Sequence, residues 1–303
     1  TGGMYLLQTV TAVYLRLLGH EISNGGFVLD VNETPDPEEF EDAYMRYANA
    51  RVCPPRPAEK TYRVRGTKEP FYTLNVIDGI MSVSAVQKVA KQYQASITEY
   101  LNAVLLYSLL QKQEHDFHLR LRPVRIAMPV NLRRFFPSKT LRNFITMVYP
   151  SIDPRLGDYT FEEIVTQVHH YMRYYINSKF LRGDITTNAS TQRNPLIRIV
   201  PLFLKDFVVR QFYQRVQDKN SSAGLTNMGA IRVPDDMKPY LERFDIYMGI
   251  PYSQRTNCAI VSFEDTLTVN FASCIIEADV ERRFFQKLVE DGIPVTIESN
   301  REL

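Results

Sequence analysis

Two short stretches of the 303-residue chain carry side chains suited to holding a polar ligand. The first lies within VRIAMPVNLRRFFPSKTLRNFITMVYPSID, residues 124–153, where Asn131, Arg133, Arg134, Ser138, Lys139, Arg142 and Asn143 fall between two apolar runs. Amide and guanidinium groups set between two strands are placed to donate to an anion or a carbonyl oxygen. The same composition also describes a solvated basic loop. The second stretch is Thr226-Asn227-Met228-Gly229. A hydroxyl and an amide at a strand end, with a glycine that lets a ligand approach the backbone, suit contact with an oxyanion or a thioester. A strand followed by a tight turn would use the same residues.

Other chemistries find little support. The five histidines are His20, His115, His118, His169 and His170. The tandem pair follows Ile164, Val165 and Val168 and is placed mid-helix, in a structural or surface role. His115 and His118, with Glu114 and Asp116, match no metal-ligand spacing, so no metal site is expected. There is no G-x-S-x-G elbow, no G-x-G-x-x-G and no P-loop. Cys53, Cys258 and Cys274 form no CxxC pair, which argues against a disulfide framework or zinc and fits a reducing, cytoplasmic setting. A net charge of +2 gives no reason to expect a nucleic-acid partner. The most apolar helical run, Leu196–Phe212, is broken by Arg198, Lys205, Asp206 and Arg210, so no membrane span is predicted.

The elements that must position the two stretches follow from periodicity and caps. Ile126, Met128 and Val130 alternate with Arg125, Ala127 and Pro129, a half-buried strand pattern, and Phe144–Tyr149 reads as a buried strand. Met4–Leu18 is predicted to be an amphipathic helix whose stripe is Leu6, Val10, Val13 and Leu17, widened by Leu7, Tyr14 and Leu18. Gly2 and Gly3 allow a turn into it, and Gly19 ends it. Residues 20–57 read as a connection, with a short helix over Glu38–Tyr47 and an extended Cys53–Pro57. Capping boxes at Ser84/Gln87, Ser96/Glu99 and Thr160/Glu163 start helices over 84–94, 96–112 and 160–180. The second of these is apolar nearly all round and is expected to be deeply buried. Asn194-Pro195 opens a further helix that Pro201 kinks. Strands are expected at Tyr62–Arg65, Tyr72–Ile77, Ser222–Asn227, Phe244–Met248, Cys258–Phe263 and Leu267–Ser273. The last two are joined by a hairpin turn at Phe263–Thr266. A helix over Ala278–Glu290 and a strand over Pro294–Glu298 close the chain. Interleaved helices and strands with an antiparallel end give a two-layer α/β sandwich, a mixed sheet packed by helices.

The strand ending in Pro129-Val130-Asn131-Leu132-Arg133-Arg134, the following Leu141-Arg142-Asn143 and the later Thr226-Asn227-x-Gly229 resemble the chloramphenicol-acetyltransferase-like superfamily. That superfamily includes condensation domains, and the closest likeness here is to bacterial alcohol O-acetyltransferase-like enzymes. The resemblance implies that Thr226, Asn227 and Gly229 line the acyl channel or oxyanion site, and that Asn131, Arg133 and Asn143 border the substrate or coenzyme A. Arg133 is expected to pair beneath the site. In the superfamily the general base is the histidine of His-x-x-x-Asp-Gly, which in this branch runs straight on into Thr-Gly-Gly and a helix like Met4–Leu18. By that reading the base lies upstream of Thr1, residues 1–57 are the final helix of an N-terminal lobe plus a linker, and 58–303 are the C-terminal acyltransferase-like lobe. Acetyl-CoA or another acyl-CoA is then a co-substrate rather than a tightly bound cofactor. The acceptor is an alcohol or amine, and an acyl or peptidyl carrier protein is an alternative donor. The competing expectation is a non-catalytic condensation-like module that binds a carrier protein or another partner.

Overall fold

Among the described residues an eight-stranded mixed sheet carries the candidate site, and one helix, buried over most of its length, holds it in shape. The computed structural model describes residues 2–49, 59–70, 73–116, 120–193, 220–250 and 254–301. The strands are β1 (Asn75–Ser82), β2 (Val124–Asn131), β3 (Ile145–Val148), β4 (Ser151–Ile152), β5 (Ala223–Ala230), β6 (Thr256–Phe263), β7 (Thr266–Ser273) and β8 (Thr296–Ser299). Their order across the sheet is β3-β2-β5-β6-β7-β1-β8, with β4 paired to β2. The pairs β2–β5 and β5–β6 are parallel, and the others are antiparallel. The hairpin between β6 and β7 turns at Glu264-Asp265, as the sequence predicts, with Glu264 at φ 51°. At Gly79 of β1 a Cβ would come within 2.1 Å of the Phe285 ring, so the sheet and the aromatic cluster Phe271–Phe284–Phe285 meet there without room for a side chain.

Among the described residues the α-helices are α1 (Gly2–Leu17), α2 (Ala43–Tyr47), α3 (Val83–Gln92), α4 (Ile97–His115), α5 (Phe161–Tyr175), α6 (Ser178–Arg193) and α7 (Asp279–Glu290). Helix α4 is the centre of the packing. Both halves of the predicted Ser96/Glu99 capping box form, and the helix lies against β2, α5 and α7. Its residues Tyr100–Leu106, Leu109 and Leu110 are buried, so it is enclosed on all sides over that stretch, while Glu114 and His115 of its last turn are exposed. The Thr160/Glu163 box also forms and starts α5.

Elsewhere tertiary contacts override the sequence pattern. β2 is buried on both faces rather than half-buried, because it runs inside the sheet beneath α4; even Arg125 is buried, its guanidinium donating to the carbonyls of Glu59 and Asn220. Ser82, not Ser84, caps α3, since the Ser84 amide and hydroxyl are drawn to the Asp265 carboxylate in the β6–β7 turn. The helix predicted to reach 180 stops at Tyr175. Asn177 then accepts from the amides of Lys179 and Phe180 and starts α6, which the sequence reading missed. Within the described residues neither Tyr62–Arg65 nor Phe244–Met248 forms a strand, and β1 begins at Asn75, three residues after the predicted start. The Glu38–Tyr47 helix splits into a 3-10 turn at Pro37–Phe40 and α2, capped by Asp36 and Asp42. The extended Cys53–Pro57 and the helix expected from Asn194 lie outside the described residues.

Helix α1 departs most instructively. Its buried residues are Gln8, Thr9, Ala12 and Leu15, while Leu6, Val10 and Leu17 are 64%, 57% and 82% exposed. The predicted apolar stripe therefore faces away from the rest of the described residues. The inward turn is fixed by polar groups: Gln8 Nε2 donates to the Arg232 carbonyl at 2.6 Å, and the Thr9 hydroxyl accepts from the Leu29 amide at 2.9 Å. Ala12 and Leu15 join a small apolar cluster with Ile231, Val233, Met237, Val261 and Phe263.

Candidate functional site

The carboxyl ends of the parallel strands β2 and β5 open into a cavity of about 670 Å³. Open α/β sheets place ligands at this end of parallel strands, where loops and helix starts diverge. The walls come from Met128–Asn131 of β2, Thr226–Ala230 of β5, the start of α4 (Thr98, Glu99), the α5 face bearing Met172 and Arg173, and Met4 and Gln8 of α1.

The Thr-Asn-x-Gly segment is neither a strand end nor a tight turn. The register of β5 on β6 shifts between Asn227 and Ala230, a β-bulge, with Gly229 in the left-handed region at φ 73°. Asn227 holds the bulge: its Oδ1 accepts from the Gly229 amide at 2.8 Å. Its Nδ2 donates to the Thr98 hydroxyl at 2.8 Å, tying the bulge to the start of α4. The amide of Asn227 is thus spent on shaping the wall. The hydroxyl of Thr226, half-buried in the same wall, has no hydrogen-bond partner among the described residues.

The basic loop divides its groups between structure and cavity. Arg133 lies beneath, its guanidinium donating to the Thr140 carbonyl at 2.7 Å and the Arg142 carbonyl at 2.6 Å, over the ring of Phe144. Burial lowers its pKa, although the guanidinium keeps its charge. Lys139 pairs with Asp36 at 2.7 Å, and Arg142 donates to the Phe40 carbonyl. Gly2 belongs to α1 itself, and a Cβ there would stand 2.4 Å from the Leu141 carbonyl oxygen, so the loop presses on the helix start. Asn131 and Arg134 reach the cavity. Asn143 does not; it borders a separate cavity of about 540 Å³ on the far side of β3, with Arg125, Tyr171 and Asp184.

The electrostatics of the cavity favour negative charge. Arg134, Arg173 and Arg232 line it, none of them ion-paired among the described residues, against the single carboxylate of Glu99. That carboxylate closes the α4 capping box, and its Oε1 stands 3.3 Å from His169 Nδ1, out of line for a hydrogen bond. His169 therefore sits mid-helix, as the sequence indicates, but behind the cavity wall, while His170 faces a different surface hollow. Thr98, Glu99, Arg173 and Gln8 escaped the sequence reading, since only the fold brings their segments to this end of the sheet. The capping-box signature marked Glu99 as a helix start without indicating a cavity. His115 Nδ1 is within hydrogen-bond distance of the Gln111 carbonyl, and His118 lies outside the described residues. No cluster suited to a metal ion occurs among the described residues, and no described helix is long and apolar enough to cross a membrane.

By sequence, the chain matches no family model and no curated protein. By structure it is similar to TRI3 trichothecene 15-O-acetyltransferase from Fusarium sporotrichioides, with 14% identity and a TM-score of 0.51 over 91% of this chain and 54% of that one. It is similar to the epimerization domain from the third module of tyrocidine synthetase B, with 11% identity and a TM-score of 0.50 over 96% of this chain and 65% of that one. A third likeness is to the nonribosomal peptide synthetase FmoA3, with 11% identity and a TM-score of 0.51 over 78% of this chain and 23% of that one. The chain has the fold of the chloramphenicol-acetyltransferase-like acyltransferases and condensation domains, and it spans less than two thirds of the length of each of these proteins.

Proposed function

We propose that this chain supplies the acyl-channel half of an acyltransferase that moves an acyl group from a coenzyme A or carrier-protein thioester to an alcohol or amine. The observation that carries this reading is the cavity at the carboxyl ends of β2 and β5, with the Thr226 hydroxyl, unpartnered among the described residues, in its wall and three arginines around it. The general base is the histidine expected in the stretch leading into α1, whose Met4 lines the same cavity. That histidine takes the proton of the acceptor, and the freed oxygen or nitrogen attacks the thioester carbonyl. Negative charge develops on the carbonyl oxygen, and the Thr226 hydroxyl donates to it. Collapse breaks the carbon–sulfur bond, and the base returns its proton to the departing thiolate. The exposed stripe of α1 is where a preceding lobe would pack, since Leu6, Val10 and Leu17 are otherwise left in water.

A second reading, a non-catalytic condensation-like module, draws support from the cavity lining, which holds no histidine among the described residues. Ligand binding tests what both readings share. A thioether analogue of acetyl-CoA titrated into the chain by calorimetry is expected to bind saturably and to lose affinity in Arg134→Ala. Unchanged affinity in that variant, or no binding at all, would count against the cavity as the thioester site.

A further inference from the structure

At the opposite end of the sheet a second hollow gathers five arginines. It has a volume of about 410 Å³ and is lined by Arg63, Arg65, Arg120, Arg122 and Arg255, with Tyr62 and Val64 as its buried floor. Arg122 and Arg255 stand just ahead of β2 and β6, so the hollow lies at the amino end of β2, whose carboxyl end bears the first cavity, and of β6 in the same sheet. Eight residues of β2 at about 3.3 Å each separate the two by roughly 26 Å.

Three separate segments bring these arginines together, and each is pinned through its backbone. The Tyr62 amide donates to the Pro123 carbonyl at 2.9 Å. Gln113 of the buried helix α4 holds Arg122 twice, accepting from its amide and donating to its carbonyl, each at 3.0 Å. The Cys274 amide donates to the Arg255 carbonyl at 3.0 Å. The nearby carboxylates are engaged elsewhere: Asp116 takes the Tyr62 hydroxyl and Lys112, and Glu277 takes the Thr67 amide and hydroxyl. Among the described residues no carboxylate pairs with Arg65, Arg120 or Arg122. Guanidinium groups that line one hollow repel one another, and a concave cluster of them is neutralised best by a ligand of more than one negative charge. Their forked donors match phosphate oxygens in pairs, and the volume lies within the range of small-molecule sites.

We propose that this hollow binds a small molecule carrying two or more phosphate groups. The test is calorimetric titration of the chain with tripolyphosphate and, separately, with ADP, at low salt, where screening is weak. One-to-one saturable binding is expected, with affinity falling about tenfold or more in Arg120→Ala/Arg122→Ala, as lost charge-assisted bonds require. Lys88→Ala/Lys91→Ala, which removes two exposed charges on α3, is expected to leave it unchanged. Arg120→Lys/Arg122→Lys, which keeps charge but loses the fork, is expected to fall between. ADP binding more tightly than pyrophosphate, titrated alongside as the match for its two phosphates, would assign a nucleotide, and equal binding would assign the phosphates alone. Absence of saturable binding, equal losses in the α3 control, or equal affinity for oligoglutamate would overturn the proposal.

Discussion

Thr226→Val, in a form of the protein extended upstream through the histidine proposed as general base, is expected to lower kcat for acyl transfer about a hundredfold, the loss seen when one oxyanion donor is removed. Valine matches threonine in shape, and among the described residues the Thr226 hydroxyl has no partner that its loss would strand. The residue sits inside β5, paired in register with Ala259 on β6, where the substitution replaces only a hydroxyl by a methyl. KM for the acyl donor is expected to move much less than kcat, because the bond strengthens as charge develops on the oxygen. A residue with a purely structural part would instead lower the unfolding midpoint and leave kcat of the folded fraction alone. Asn227→Ala makes the contrast. It removes the acceptor for the Gly229 amide and the tie to Thr98, and so acts on the shape of the wall.

Asn270→Ala is expected to destabilise the fold by about 3 kcal/mol, with the urea m-value unchanged. Asn270 on β7 is fully buried and joins four groups, the most distant being the Thr268 hydroxyl at 3.4 Å. Its Nδ2 donates to Asp78 at 2.8 Å and to Asp245 at 3.2 Å, and its Oδ1 accepts from the Ile246 amide at 3.2 Å. Asp78 is itself buried and receives its other bond from the Tyr247 hydroxyl at 2.8 Å. Truncation therefore leaves a buried carboxylate and a backbone amide short of partners, the costly half of the hydrogen-bond balance. Asn270→Asp tests the same network by charge. A third carboxyl beside Asp78 and Asp245 would have its folded pKa raised, so its destabilisation should be absent below the unfolded carboxyl range near 4 and grow as pH rises through it. A uniform loss across that range would show that packing, not charge, governs the site.

This network also explains what the sequence concealed. Phe244–Met248 has the residues of a strand, yet the Ile246 amide and the Phe244 carbonyl bond to the Asn270 and Thr268 side chains on β7, which lie far along the chain. Ser84 resembles a cap until Asp265 is folded beside it. What could be read directly was local: the capping boxes at Ser96 and Thr160, the hairpin at Phe263–Thr266 and the all-apolar face of α4 each depend on neighbours in sequence. Helix α1 shows the limit from the other side. Its periodicity was plain, but the stripe faces outward, because Gln8 and Thr9 bind Arg232 and Leu29 while Ala12 and Leu15 fill the small cluster. For the cavity, the sequence pointed to Asn131 and to Thr226–Gly229. That Arg133 and Lys139 are consumed by the loop and its neighbours, and that Arg173 and Arg232 arrive from other elements, follows only from the assembled fold.

The most direct measurement of the central claim is thiol release from acetyl-CoA against a panel of alcohols and amines. It compares the 303-residue chain with the same protein extended upstream through the expected His-x-x-x-Asp-Gly. Turnover by the extended form alone, abolished when that histidine is changed to alanine, is the predicted result. Turnover by the 303-residue chain would contradict the claim that its base comes from upstream. Silence from both forms with every acyl donor, carrier-bound thioesters included, would contradict the acyltransferase reading and leave the binding module in its place.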